Sequence, residues 1–449
     1  MKPETLKRLS ETAPRYTSYP TAPHFHPGVT GETAGRWMDA IRAGENLSLY
    51  VHIPFCDRLC WFCACHTKQT RRYDPVSDFL DALLVEIALV GARVGTRAQV
   101  AALHFGGGSP TMLRPDDIKR LMDGLRSSFR FAANASISVE IDPNDMDEAR
   151  LDALAAIGMT RASLGIQDFE PKVQQAINRE QSFETTRAVV EGLRKRGVRS
   201  VNLDMLYGLP HQTLDTIAAT TEQVLSLRPD RIALFGYAHV PWFKKHQTMI
   251  DEAWLPGPEE RLAQATHAAE LIAAAGYAQI GLDHFALPTD SLHEAARDGQ
   301  LARNFQGYTD ENLETLIGLG PSAISRYREG HAQNVLSNGE YEALVRAGRL
   351  PVAKGIEFSP QDRVRGWVIE RLMCDFAFSA PEAVSRFGRG VDAVLAEASL
   401  LAQATVDPML VRKGDRFVVT DEFRPLVRTV AAAFDAYLTS GKARHSVAV

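Results

Sequence analysis

Six short apolar runs alternate with segments of helical length from Leu47 onward, and this alternation narrows the possible folds more than any other feature. The runs are "LSLYVHI" near 48–53, "VAALHFG" at 100–106, "ISVEID" at 137–142, "TRASLGIQ" at 160–167, "VNLDMLYG" at 201–208 and "RIALFGYA" at 231–238. Helical segments fall between them at about 74–95, 114–128, 146–157, 182–196 and 214–227, most opening on an Asp, Ser or Thr placed to cap the first turn. Near-continuous apolar strands alternating with helices read as parallel strands buried on both faces, an α/β class.

Where the unusual residues fall selects among α/β architectures. Tyr50 and a cysteine group, Gly106 to Gly108, Glu140 with Asp142, Gln167 with Asp168, Asp204, and Tyr237 with His239 all stand at strand C-terminal ends. A contribution from every strand suits the mouth of a barrel better than the single switch-point crevice of an open sheet. The expected organisation is an N-terminal arm over 1–45, rich in Pro, Thr and His and partly extended, followed by a partial (β/α)6 barrel over 46–285. A helix at about 257–275 and "GYAQIGLDHFA" extend the barrel, and residues 286–360 complete the active site. Beyond about 330 the α/β rhythm stops, and 361–449 reads as a smaller, mostly helical domain around the hairpin "VDPMLVRKGDRFVVT".

A length of 449 residues allows two or three domains. The net charge of −5 excludes a general nucleic-acid binder, which would carry a basic surplus. With no apolar run of 18 residues, nothing is expected to span a membrane. The opening "MKPETLKRLSETAPRYTSYPTA" lacks the apolar centre of a secretory signal, and the chain has only one cysteine outside a single group. Both point to a reducing cytoplasm.

That group is the chemical clue: Cys56, Cys60, Cys63 and Cys65 are spaced C-x3-C-x2-C-x-C within one loop. A zinc site usually takes two separated ligand pairs, and no second pair exists here. A redox dithiol would use Cys60 and Cys63 but leaves Cys56 and Cys65 unexplained. Inert buried thiols would not share a loop with Asp57, Arg58 and His66. An iron–sulfur cluster fits, because closely spaced cysteines let one loop wrap a cubane.

Other residues acquire meaning beside this loop. The glycine run in "HFGGGSPT" is, alone, a tight turn; next to a cluster it lets backbone approach an amino-acid moiety. Glu140 and Asp204 are acids in apolar strands, each explicable as a salt bridge, but together with Gln167 they suggest a polar-lined cavity. Arg179 is an ordinary surface residue or a carboxylate clamp. His24, His26 and His66 read as surface residues, whereas His239 and His284 sit at element ends and are better site candidates. The irregular "RNFQGYT" at 303–309 carries polar side chains suited to function, and "LIGLGPSAISRY" at 316–327 reads as an apolar loop.

C-x3-C-x2-C after a first strand resembles the signature of radical S-adenosylmethionine (SAM) enzymes. "RYTSYPTA", "LYVHIPFC", "GGGSPT", "EIDP", "GIQDF", "NREQ", "DMLYGLP", "DHFA", "RNFQGYT" and "LGPSAIS" together resemble the oxygen-independent coproporphyrinogen III oxidase family, densely over about 12–335 and more weakly beyond. The resemblance implies Cys56, Cys60 and Cys63 as ligands of a 4Fe–4S cluster with one open iron. It implies Tyr50, Phe62, Gly107, Glu140 and Ile324 around a SAM bound there. Gly108, Ser109, Gln167, Arg179, Asp204 and Ala238 match the surroundings of a second SAM. Cys65 matches a cysteine implicated in activity without binding iron, and Tyr50 is placed with it in the chemistry. Ser109 departs from the commoner Thr but keeps the hydroxyl.

The implied reaction turns two propionates of coproporphyrinogen III into vinyl groups, giving protoporphyrinogen IX, by a 5′-deoxyadenosyl radical. It requires a low-potential, flavodoxin- or ferredoxin-like one-electron donor and an acceptor that the sequence does not name. Nothing in the chain demands more than a monomer. Four carboxylates on an apolar ring call for cations around an apolar cavity. Arg15, Arg303 and Lys68 are the expected cations, with Tyr16, Tyr19 and Phe305 against the ring and Gln306 beside them. The rival functions are a haem chaperone, a haem-degrading radical SAM relative and a structural zinc protein. The first typically lacks both a fourth cysteine and the "RYTSYPTA" arm.

Overall fold

The structure, a computed structural model, describes residues 13–404 and 408–438. The start of the expected arm (1–12), three residues at 405–407 and the end of the expected C-terminal domain (439–449) lie outside the described residues.

The alternating segments form a barrel wall. Its strands are β1 (Asn46–Ile53), β2 (Gln99–Gly107), β3 (Phe131–Ile141), β4 (Arg161–Gln167), β5 (Ser200–Tyr207) and β6 (Arg231–Gly236). The helices between them are α1 (Asp74–Val94), α2 (Pro115–Ser128), α3 (Glu148–Ala156), α4 (Phe183–Lys195) and α5 (Leu214–Ser226), with α6 (Pro258–Ala274) after β6. Asp147, Ser182 and Thr213 accept from backbone amides at the starts of α3, α4 and α5, as their positions in the sequence predict. Neighbours β1 to β6 pair in parallel, in chain order.

The sheet is larger than six strands. It continues with β7 (Ala278–Ile280), β8 (His284–Ala286), β9 (Thr315–Leu319), β10 (Ile324–Arg326), β11 (Gly330–Asn334) and β12 (Val352–Glu357). The spatial order is β12-β11-β10-β9-β1-β2-β3-β4-β5-β6-β8-β7, an open, mostly parallel sheet. Strand β9 is parallel to β1, and the outer strands at both ends are antiparallel. "LIGLGPSAISRY" is therefore two strands and their connection, not a loop; β9 is a short, fully buried apolar run that periodicity alone does not separate from a loop. Nor does strand formation stop at 330, since β11 and β12 extend the same sheet. Buried Glu86 of α1 pins this half, accepting from the Gly320 amide, Asn334 and the Tyr341 hydroxyl.

A second correction concerns the strand faces. Leu47, Leu49, Val51 and Ile53 of β1 join one large apolar core with Leu103, Val139, Leu164, Leu203 and the covering helices. The alternate residues face a lumen instead, and they are polar: Ser48, Tyr50 and His52; His104; Ser138 and Glu140; Arg161 and Ser163; Ser200, Asn202 and Asp204. Only one face is core, which is why the burial of β4 alternates strictly.

The arm is less extended than expected: Gly31–Asp39 is a helix capped by Thr30, and its Trp37 and Met38 are buried. Tyr16 and Tyr19 pack into the core of the C-terminal region. That region contains α7 (Pro360–Asp375), shorter helices at Ala380–Phe387, Asp392–Leu401 and Val427–Ala432, and the expected hairpin, Leu410–Lys413 with Arg416–Val419. Ala377–Ser379 adds a third strand to the hairpin.

Candidate active site

All four clustered cysteines lie in the loop that leaves the C-terminal end of β1. The loop begins with a two-residue strand, Phe55–Cys56, paired with Lys68–Gln69. Its backbone is fastened from two other strand ends. From the segment after β4, Asn178 donates to the Leu59 carbonyl at 2.9 Å, and the Trp61 amide donates to the Ile177 carbonyl. From the segment after β6, Gln247 donates to the Phe62 carbonyl at 2.9 Å, His246 Nε2 to the Cys63 carbonyl at 2.6 Å and Lys244 to the Cys65 carbonyl at 2.9 Å. The amides of Gly108 and Ser109 donate to the carbonyls of Ile53 and Phe55, knitting the glycine turn to the same loop.

Burial pushes the Cys56 thiol up to about 12, although Thr67 Oγ1 lies 3.0 Å from its sulfur. Burial also raises Cys60, against the pull of Arg179, whose Nη1 is 3.6 Å from its sulfur. Cys63 is lowered to about 7 because the Cys65 thiol and amide both donate to its sulfur. Three soft sulfur donors in one loop, with a guanidinium facing one of them, suit an iron–sulfur cluster, which takes each thiol as thiolate. Among the described residues no three His, Cys, Asp or Glu side chains converge to hold a single ion. A cubane needs no such convergence, because each thiolate reaches a different iron.

The glycine turn owes its composition to the neighbouring strand. A Cβ on Gly106 would stand 2.7 Å from Glu140 Oε1, and Gly107, at φ +117°, leaves no room against the His52 ring. Glu140 accepts from His104 Nε2 at 3.0 Å and from the Gly107 amide at 3.1 Å. Burial alone would lift this carboxyl, but the His104 bond and the amide hold it below the usual range, so it stays ionised. On β1, Tyr50 lies against the His104 ring, with centroids 5.8 Å apart. The Tyr50 hydroxyl donates to His52 Nδ1 at 3.0 Å, and His52 Nε2 donates to the His66 carbonyl at 2.8 Å. Burial lowers His52 to about 4, which keeps it neutral and fixes that tautomer.

Across the lumen, Arg179 donates to Asp142 Oδ2 at 3.0 Å and to the Gly165 carbonyl at 2.8 Å; its buried Nε has no partner. Gln167 adopts a left-handed backbone, φ 67°, at the end of β4. Asp204 pairs in register with Gly165 and accepts from Asn202 and Ser163; burial raises it to about 6. Ser109 is turned away, donating to Asp145 at 2.6 Å. The Ala238 carbonyl accepts from Gln247. Ile324 opens β10, its carbonyl against Gly318.

A cavity of about 670 Å³ lies away from the cysteines, between β1, the 302–309 hairpin and α7. Ser48 reaches it; Tyr50 is on the same face of β1, one pleat repeat or about 7 Å nearer the cluster loop. Arg303 is buried in its wall, over the Tyr308 ring at 4.3 Å and 3.8 Å from Asp283, and its Nε and Nη1 make no hydrogen bond. Phe305 lines the same wall, edge-on to His331. Gln306, with an unpartnered buried Nε2, faces a smaller lumen pocket with His104, Asn202 and His284. Arg15 is exposed and donates to the Gly236 carbonyl. Tyr16 and Tyr19 border the cavity, but their hydroxyls are committed to Asp435 and the Ala436 amide. Lys68 is exposed on the cluster loop, not in this cavity. His284 is tied to Asp283, and His239 bridges Tyr237 and Glu252.

Sequence reasoning passed over His52, His104, His246 and Gln247. A histidine at one inward position in each of "LYVHI" and "ALHFG" was a usable signal for the first two. The other two act on backbone carbonyls nearly 200 residues away, and no local pattern marks them.

The Radical SAM superfamily matches residues 50–224. An oxygen-independent coproporphyrinogen III oxidase from Bradyrhizobium diazoefficiens is 47% identical over 439 residues, 98% of each chain. One from Paracoccus denitrificans is 46% identical over 447 residues, 99% of this chain and 98% of the relative. A solved coproporphyrinogen III oxidase from Escherichia coli, described as a radical SAM enzyme, gives a TM-score of 0.89 at 38% identity, covering 94% of this chain and 97% of that one. With identity of this order running the length of both chains, the protein belongs to the oxygen-independent coproporphyrinogen III oxidase family of radical SAM enzymes.

Proposed function

We infer that this chain converts coproporphyrinogen III into protoporphyrinogen IX without molecular oxygen, decarboxylating two propionates oxidatively to vinyl groups. The observation that carries the reading is the cysteine loop, seated at the strand mouth beside an ionised Glu140, in a chain matched end to end by relatives of that name.

Cys56, Cys60 and Cys63 would hold the 4Fe–4S cluster, and Tyr50, Phe62, Gly107, Glu140 and Ile324 would surround the SAM on it. When bound, these cofactors supply a one-electron cleavage that yields a radical able to take hydrogen from unactivated carbon. Glu140, kept charged by His104 and the Gly107 amide, offers a carboxylate to the methionine ammonium. The Tyr50–His52–His66 chain holds the Tyr50 ring against His104 at the lumen wall. Gly108, Gln167, Arg179, Asp204 and Ala238 border the same end of the lumen and support a second SAM there, with Ser109 contributing backbone only. Cys65, solvent-exposed and hydrogen-bonded to Cys63, would act in the chemistry without holding metal.

The four-carboxylate substrate is taken by the cavity beside Ser48. Arg303 meets a propionate with its Nε and Nη1, neither of them hydrogen-bonded, Arg15 guards the approach, and Phe305, Tyr16 and Tyr19 supply apolar wall. The electron comes from a low-potential carrier in the cytoplasm, where five free cysteines persist, and a separate acceptor takes the electron left after CO2 departs. The test is an anaerobic assay of the reconstituted chain with coproporphyrinogen III, SAM and dithionite. Vinyl product with methionine is expected; methionine without vinyl product, or loss of haem supplied in a parallel assay, would refute the reading.

A further inference from the structure

Nine large apolar side chains are well exposed among the described residues, and four of them, Trp242, Phe243, Met249 and Trp254, occupy one short stretch after β6. Phe243 is 72% exposed, more than any other of the nine. The same stretch carries Lys244, His246 and Gln247, which hold the carbonyls of Cys65, Cys63 and Phe62. One hydrogen bond therefore separates this surface from the backbone of the cluster loop. Leu336, also exposed, stands on the other side of the loop beside His66.

The patch is basic as well as apolar. Residues 55–73 hold four cations (Arg58, Lys68, Arg71, Arg72) against Asp57, and 240–254 sets Lys244 and Lys245 against Asp251 and Glu252: a surplus of three on a chain of net charge −5. Arg58 pairs with Asp57 and Arg72 with Asp74, leaving Lys68, Arg71, Lys244 and Lys245 without an acidic partner among the described residues. Asp251 and Glu252 are engaged with the Ala253 amide and with His239. No residue of 240–254 lines the cavity beside Arg303, so the substrate cavity does not account for the exposure.

We propose that this face docks a small acidic one-electron carrier protein, the occupant that a cationic rim around exposed aromatics at the cluster loop selects. The proposal rests on the radical reading of the site. The carrier loses one electron, the group held by the three thiolates gains it, and no bond in this chain forms or breaks.

The test uses reconstituted holoenzyme carrying Phe243→Ser with Lys245→Glu; Lys244 is spared because it holds the loop. Reduced bacterial flavodoxin and dithionite serve as alternative donors, and flavodoxin affinity is measured separately by calorimetry. The flavodoxin Kd and its KM should rise about tenfold while dithionite-driven turnover stays within about twofold. Wild-type binding should weaken in about 0.5 M salt, and Leu400→Ser, on the distant C-terminal domain, should behave as wild type. An unchanged Kd overturns the proposal, as does an equal loss with both donors, which would assign the patch to substrate entry or to residues 1–12. Absence of methionine from wild type with dithionite would instead overturn the radical reading itself.

Discussion

Asp310 and Asp204 face the lumen of one barrel from opposite ends and are treated oppositely. At the lower end, Asp310 meets Arg161, which also reaches Ser291, and Arg231 joins through Asp290, 2.7 Å from its Nε. Burial alone would lift the Asp310 carboxyl, but Arg161 and Arg231 hold it far below the usual range. At the cysteine end, Asp204 has only Asn202 and Ser163 and is raised to about 6. The lower charges cancel one another. The upper set leaves thiols, the Arg179 Nε and one face of Glu140 unspent. A plug pairs its charges internally, whereas a site keeps some for a ligand.

Substitution at the two ends should break differently. Cys60→Ala should abolish cluster assembly: iron content and the absorption near ~400 nm fall to background, turnover drops at least about 10³-fold, and the circular dichroism of the barrel persists. Arg161→Ala should do the reverse, costing about 3 kcal/mol of stability by stranding Asp310 while cluster content per folded chain holds. Urea denaturation with iron analysis reads both. A stable Arg161→Ala protein would show that the lower end is no plug.

The contrast between ends was half legible in the sequence. The upper end announced itself because cysteines and glycines are conspicuous at strand ends, and a barrel followed from their distribution. The lower end did not: Arg161 and Arg231 open their strands, while Asp290, Ser291 and Asp310 come from segments without periodicity. The polar lumen was hidden because Ser, Asn and His at alternate positions still left the strands looking apolar overall. Strands β9 to β12 were missed because pairing with β1 is a long-range fact, and "TLIGL" alone does not state it.

Arg303 tests whether the cavity beside Ser48 belongs with the upper site. Removing a buried guanidinium with two unused donors should cost one charge-assisted contact, so Arg303→Ala should lower kcat/KM for coproporphyrinogen about 30-fold. SAM cleavage in the absence of substrate should stay unchanged. Equal losses in both would mean that Arg303, through Asp283, merely supports the barrel end.

The smallest effect bears directly on the difference between Asp204 and Asp310. Because Asp204 is raised in the folded chain, the native state holds that proton more tightly than the unfolded one. Stability from this group is therefore greatest in acid and declines as pH rises from about 4 through about 6. Asp204→Asn keeps one acceptor for Asn202, turns the other position into a donor that the Ser163 hydroxyl can accept, and cannot ionise. The variant should gain stability relative to wild type as pH climbs to 7, with the difference between the two curves growing over that interval and flat above it. Taking the difference removes other raised acids, among them Glu86, Asp145 and Asp168, which titrate alike in both proteins. A difference that instead shrinks with rising pH would mean Asp204 is ionised and paired like Asp310, and the two ends of the barrel would not differ in the way their carboxylates are held.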